Sequence, residues 1–156
     1  YLMGERSPIN DVNARGAFVG MSMDTSRADF VQAVLEGVAF AIRDSVEVAR
    51  SLGIDIPSSK ICGGGAKSPL WKKIMANVLG VKLESPACEQ GPGMGGAMLA
   101  MVACGEYETV QAAVDAIVKT ASVLEPEAEL TALYEAQYQK FKTIYPAVKS
   151  IFPVIR

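Results

Sequence analysis

Three consecutive glycines join a short apolar strand pattern to a helix pattern in Lys60-Ile61-Cys62-Gly63-Gly64-Gly65-Ala66-Lys67-Ser68-Pro69-Leu70-Trp71. No other stretch limits the architecture so strongly. Glycine lets the backbone take positive φ and leaves space over the chain, so that a ligand can lie against peptide N–H groups. Pro69 suits the first turn of a helix, where its missing N–H costs nothing. The helix that follows would direct its positive dipole end and its free N–H groups at the turn, an arrangement that favours a phosphate or another anion. A tight turn that only lets the helix pack explains the same glycines equally well. The run is not a Walker A loop, because Lys67 follows Ala66 with no glycine at the required spacing. It is not a dinucleotide fingerprint either, because Ser68 stands where the third glycine belongs.

The neighbouring patterns place this turn inside an α/β unit. Residues 58–62 read as the strand that feeds it, residues 70–79 as the helix that leaves it, with Gly80 as the stop, and residues 81–84 as a second strand. Strand, helix, strand implies a right-handed crossover and a parallel or mixed sheet with helices packed on it. Upstream, residues 17–21 read as a short strand. Ser26 then caps a long helix, with Asp29 in a looser form of the capping box. Phe30, Val31, Val34, Leu35, Val38, Ile42, Val46, Ala49 and Leu52 recur at helical spacing and predict one apolar face, with Gln32, Glu36, Arg43, Glu47 and Arg50 on the other and Gly53 at the end. Glu36 is the residue of that polar face with most claim to chemistry, although a structural carboxylate is the stronger reading.

Downstream, Gly91-Pro92-Gly93-Met94-Gly95-Gly96 satisfies the letters GxGxxG, with Asp115 about twenty residues later. The context a dinucleotide site needs is missing, since Asp115 sits in a helix pattern and not at the end of a strand. The glycines read instead as a loop entering a helix of small residues over 95–104, closed by Gly105. Residues 127–145 predict a last amphipathic helix, with Pro146 and Pro153 breaking the tail. Residues 1–13 read as an ordered loop, in which Glu5 and Arg6 form a solvated charge pair or touch a substrate or another domain.

Composition excludes several classes of function. The net charge is −2, the pI is near 5.2 and the 15 basic residues are scattered, so there is no basic stripe for a nucleic-acid backbone. The run from 94 to 104 is far short of the ~20 residues that cross a bilayer. Cys62, Cys88 and Cys104 make no CxxC pair and are odd in number, which argues for a reducing cytoplasm over a disulfide framework. With no histidine, a Ser/His/Asp triad is impossible, and no zinc constellation stands out. Hydrophobic residues make up 50% of the chain and mean hydropathy is +0.23, an excess explained if an apolar face meets another part of a longer chain.

Three stretches taken together resemble one family. Gly16-Ala17-Phe18-Val19-Gly20-Met21 followed by Asp29-Phe30-Val31-Gln32-Ala33-Val34-Leu35-Glu36-Gly37 is similar to the second signature of the FGGY carbohydrate kinases. Cys62 to Trp71 resembles that family's nucleotide turn, and Tyr1-Leu2-Met3-Gly4-Glu5-Arg6-Ser7-Pro8 is similar to its xylulose kinase branch. The resemblance implies a ribonuclease H-like, actin-like ATPase fold, here partial and helix-rich, with residues 1–156 forming the later part of the C-terminal, ATP-binding domain. It implies ATP and Mg²⁺ as cofactors, a pentulose as small-molecule partner, no nucleic-acid or membrane partner, and it allows a homodimer. The nucleotide contacts it implies are Gly63, Gly64, Gly65, Ala66, Lys67 and Ser68, with the glycines against phosphates and ribose, Ser68 offering a side-chain hydrogen bond, and Lys67 either reaching a phosphate or solvated. The sugar site and the catalytic aspartate belong to the earlier part of such a chain, so no catalytic or metal residue is expected here and the piece alone would be inactive. A non-catalytic nucleotide-binding or assembly module of actin-like fold is the alternative.

Overall fold

The computed structural model describes residues 1–88 and 91–155. Its elements run α1 (Arg27–Ser51), β1 (Ser58–Lys60), a 3₁₀ turn (Gly64–Lys67), α2 (Pro69–Leu79), β2 (Lys82–Pro86), α3 (Gly91–Ala103), α4 (Val110–Ile117), β3 (Thr120–Leu124) and α5 (Ala128–Val148). The three strands form one mixed sheet in the order β1-β2-β3, with β1 parallel and β3 antiparallel to β2. Lys60 stands opposite Glu84 in the parallel register, and Lys60 Nζ lies 3.0 Å from Glu84 Oε2. That pair, with Thr120 Oγ1 donating to the same carboxylate at 3.3 Å, links all three strands just before the glycine turn.

The helix signals act as the sequence led us to expect. Ser26 Oγ accepts Asp29 N and Asp29 Oδ2 accepts Ser26 N at 2.8 Å, a complete capping box in which each residue satisfies a donor the helix end leaves open. Pro69 is the first residue of α2, and Gly80 ends it in the left-handed conformation. The core lies where α1, α2 and α5 meet β2, around Phe40, Ile74, Val78, Leu83, Tyr134 and Tyr138.

Five features depart from the sequence reading. Residues 17–21 form no strand: no described strand lies alongside to complete a ladder, Gly20 turns the chain at φ 84°, Val19 and Met21 are exposed, and Phe18 packs edge-on to Phe30. Helix α3 begins at Gly91, so the glycines are helical and do not form a loop leading into it. Strand β3 has no clear signal in the sequence, because Ala121 and Ser122 weaken its alternation, and its register with β2 makes it a strand. Helix α5 continues past Pro146 to Val148, and Lys149 N still donates to Tyr145 O at 2.9 Å.

The fifth difference is the face α1 buries. Val31, Val34, Val38 and Ile42 are 40–55% exposed, whereas Arg43, expected outside, is 8% exposed. Helix α5 is the cause. Arg43 lies 4.2 Å over the Tyr138 ring and pairs with Glu47 on α1 and Glu135 on α5, while Tyr138 Oη donates to Asp44 at 2.6 Å. Partners of this kind are what allow a guanidinium to be buried. Among the described residues, no helix is long and apolar enough to cross a membrane.

Candidate functional site

The chain leaves β1 with Ile61 N still bonded to Glu84 O at 2.9 Å, then reverses at Gly63. Gly63 has φ 86° and ψ −177°, a combination essentially closed to residues with a Cβ. Its carbonyl accepts Ala66 N at 3.1 Å and the carbonyl of Gly65 accepts Ser68 N at 3.0 Å, which closes the 3₁₀ turn. Ser68 then caps α2: its Oγ accepts Trp71 N at 3.2 Å and its carbonyl accepts Lys72 N at 3.1 Å. All six residues singled out from the sequence, Gly63, Gly64, Gly65, Ala66, Lys67 and Ser68, therefore lie on one continuous turn, with only Ala66 half-buried.

Two expectations about this turn change in detail. Pro69 lacks an N–H and those of Trp71 and Lys72 are bonded, so among the described residues the first turn of α2 keeps only the Leu70 N–H for a ligand. The donors available to an anion are chiefly Gly64 N and Gly65 N. The space over the three glycines also differs: a Cβ on Gly63 or Gly64 would meet nothing within 4 Å, but one on Gly65 would lie 3.1 Å from both Cδ1 and Nε1 of Trp71. The room above Gly65 is already filled by the indole. Ser68 can cap the helix and still serve a ligand, because accepting Trp71 N leaves its hydroxyl hydrogen free to donate.

Helix α3 starts beside the turn, where a Cβ on Gly91 would stand 3.6 Å from Cys62 Sγ. The other residues weighed earlier have structural work. Glu36 accepts Gln32 Nε2 at 2.7 Å and its charge lies beside the Tyr134 hydroxyl, Glu5 Oε1 accepts the backbone N–H groups of Arg6 and Ser7, and Asp115 accepts Gln111 Nε2 on an exposed face of α4. Among the described residues no group of three or more His, Cys, Asp and Glu is placed to hold a metal ion. From the sequence Trp71 is only the last residue of the glycine-turn stretch and Asn77 carries no assignment; the signal for the buried Asn77 is a polar residue in the middle of the apolar run Ile74 to Leu79.

Comparison with known proteins gives the family and the fold. The model of the FGGY family of carbohydrate kinases, C-terminal domain, matches residues 1–104. A xylulose kinase from Staphylococcus epidermidis is 38% identical over 151 residues, which are 97% of this chain and 30% of that protein. The crystal structure of a gluconate kinase from Lactobacillus acidophilus superposes with a TM-score of 0.91 at 25% identity, over 100% of this chain and 32% of that one. The crystal structure of a xyloylose kinase from Brucella ovis gives 0.86 at 38% identity, over 97% of this chain and 31% of that one. The fold is thus that of the sugar kinases with actin-like ATPase architecture, of which this chain has a helix-rich part. The chain belongs to the FGGY family of carbohydrate kinases. It spans about a third of the length of these relatives.

Proposed function

We propose that residues 1–156 are the later part of the C-terminal, ATP-binding domain of a sugar kinase, and that the complete protein converts D-xylulose to D-xylulose 5-phosphate. The observation that carries this is the open backbone at Gly64, where a Cβ would meet no atom of the chain within 4 Å, beside the backbone N–H groups of Gly64 and Gly65. Such donors suit a polyphosphate, which carries its charge on oxygens that accept N–H groups. Gly63 to Ser68 hold the nucleotide, and Lys67, exposed at the end of the 3₁₀ turn, faces the same solvent. The matched region is common to relatives named for xylulose and for gluconate, which suits a part that handles the shared nucleotide and not the sugar. Xylulose is favoured by the closer identity of the xylulose kinases and by the opening segment 1–8.

In the transfer, a sugar hydroxyl oxygen bonds to the γ-phosphorus as the bond to the ADP oxygen breaks, and the hydroxyl proton passes to a carboxylate. That carboxylate, the sugar site and the Mg²⁺ ligands lie outside this chain, so the chain alone is inactive and no step is assigned to its own side chains. The protein works in the cytoplasm, where the exposed thiols of Cys62, Cys88 and Cys104 stay reduced.

The test uses the full-length protein with D-xylulose, L-ribulose, gluconate and glycerol, together with calorimetric titration of MgATP into the wild type and Gly64→Val. The expected result is strongest turnover of D-xylulose and loss of MgATP binding in the variant. Preference for another sugar would overturn the xylulose assignment alone, and undiminished MgATP binding by Gly64→Val would overturn the nucleotide assignment.

A further inference from the structure

The three adjacent glycines have three different reasons to be glycine, and we infer from them that Trp71 is a positioning residue that sets the glycine turn for its nucleotide. This rests on the nucleotide reading above. Gly63 is required by its own backbone, at φ 86° and ψ −177°. The chain itself makes no demand for glycine at 64, where a Cβ would meet no atom within 4 Å, so on the nucleotide reading the demand there is the ligand's. Gly65 is required by Trp71, whose Cδ1 and Nε1 would each be 3.1 Å from a Cβ, tighter than ordinary van der Waals contact.

The tryptophan is in turn fixed from two sides. Its ring packs half-buried on the core that α2 shares with α1 and α5. Its backbone N–H donates to Ser68 Oγ at 3.2 Å, while Ser68 N donates to Gly65 O at 3.0 Å. Gly65, Ser68 and Trp71 therefore form a closed circuit: carbonyl to amide, hydroxyl to amide, and indole edge against the glycine. A planar ring with two side-chain torsions is a stiff spacer, so the circuit transmits the position of the core to the N–H groups of Gly64 and Gly65. Placement matters because contacts to a phosphoryl group weaken steeply with displacements well under 1 Å.

The experiment is a double-mutant cycle in the full-length protein, with Gly65→Ala, Gly64→Ala and Trp71→Leu singly and with each glycine variant combined with Trp71→Leu. Nucleotide KM, sugar KM, kcat and Tm are measured for each. Trp71→Leu should raise nucleotide KM and leave sugar KM unchanged. Gly65→Ala should raise nucleotide KM roughly fivefold or more while Trp71 is present and less than about twofold in the Trp71→Leu background, a coupling of the size seen between touching residues. Gly64→Ala should cost the same in both backgrounds. An equal cost of Gly65→Ala with and without Trp71 would overturn the inference, since Gly65 would then face the nucleotide itself. A Tm loss in Trp71→Leu with unchanged nucleotide KM would overturn it too, leaving only a core role. If neither glycine variant moves nucleotide KM, the nucleotide reading fails, and the inference falls with it. Should Trp71→Leu fail to fold, Trp71→Phe shortens the ring and removes Nε1, and the same coupling is read there.

Discussion

Asn77 Oδ1 accepts the Glu127 N–H at 2.6 Å, joining a side chain that is 1% exposed in α2 to the residue that caps α5. Its Nδ2 donates to Lys73 O at 2.8 Å, so both ends of the amide are satisfied. The helix that carries the glycine turn is thereby tied to the C-terminal helix. Asn77→Leu would take the acceptor from the Glu127 N–H and the partner from the buried end of α2, and should cost about 1–3 kcal/mol. The exposed Lys73–Glu127 ion pair beside it, at 2.8 Å, should matter far less, with Lys73→Ala within about 0.5 kcal/mol of wild type. Urea unfolding of both variants separates the two.

Gly63 and Gly64 should respond oppositely to the same change. Gly63→Ala forces a Cβ into a backbone region open only to glycine and should lose about 1–3 kcal/mol of stability. Gly64→Ala meets no neighbour and should unfold within about 0.5 kcal/mol of wild type while weakening MgATP binding. Comparing unfolding midpoints with titration of MgATP tells conformational need from ligand need.

Ser68 carries a cap and a proposed nucleotide contact, and two substitutions part them. Ser68→Ala should remove about 1 kcal/mol through the lost acceptor for Trp71 N. Ser68→Asp keeps that acceptor and the favourable charge at a helix N-terminus, so stability should hold. Its negative charge beside the turn should still raise nucleotide KM. Unchanged nucleotide KM in Ser68→Asp would remove Ser68 from the site.

Alkaline pH should loosen the α1–α5 contact. Burial, then the charge of Glu36 beside it, push the Tyr134 hydroxyl up to about 12. Burial and the hydrogen bond to Asp44 push Tyr138 upward as well. An unfolded tyrosine ionises near pH 10, so above that value the unfolded chain loses protons the folded chain keeps, and stability falls. The contribution should be complete below about pH 10 and decline as pH rises toward 12. Tm followed from pH 8 to 12 should show a shallower decline in Tyr138→Phe than in wild type.

Much of this fold is legible along the chain because its signals are local. Ser26 with Asp29, Pro69 after Ser68, and Gly80 after Leu79 each act within one helical turn, and each marks a boundary where α1 and α2 begin or end. The strand–glycine–helix unit is local in the same sense, so Gly63 to Ser68 could be chosen from sequence and are found on one turn. Strand β3 was hidden because its identity comes from pairing with β2, some forty residues earlier.

The sequence by itself determined where the backbone must turn, where helices start and stop, and that a ligand could approach the glycine run, because those follow from steric freedom and hydrogen-bonding capacity of neighbouring residues. Only the tertiary structure decided which face of α1 is buried and which glycine faces outward. Periodicity marks an apolar stripe but not its partner, and Arg43 goes inside because Tyr138, Glu47 and Glu135 converge on it from α5 and α1. Likewise, identical letters at 64 and 65 diverge because the ring of Trp71, six residues further on, folds back against one and leaves the other open.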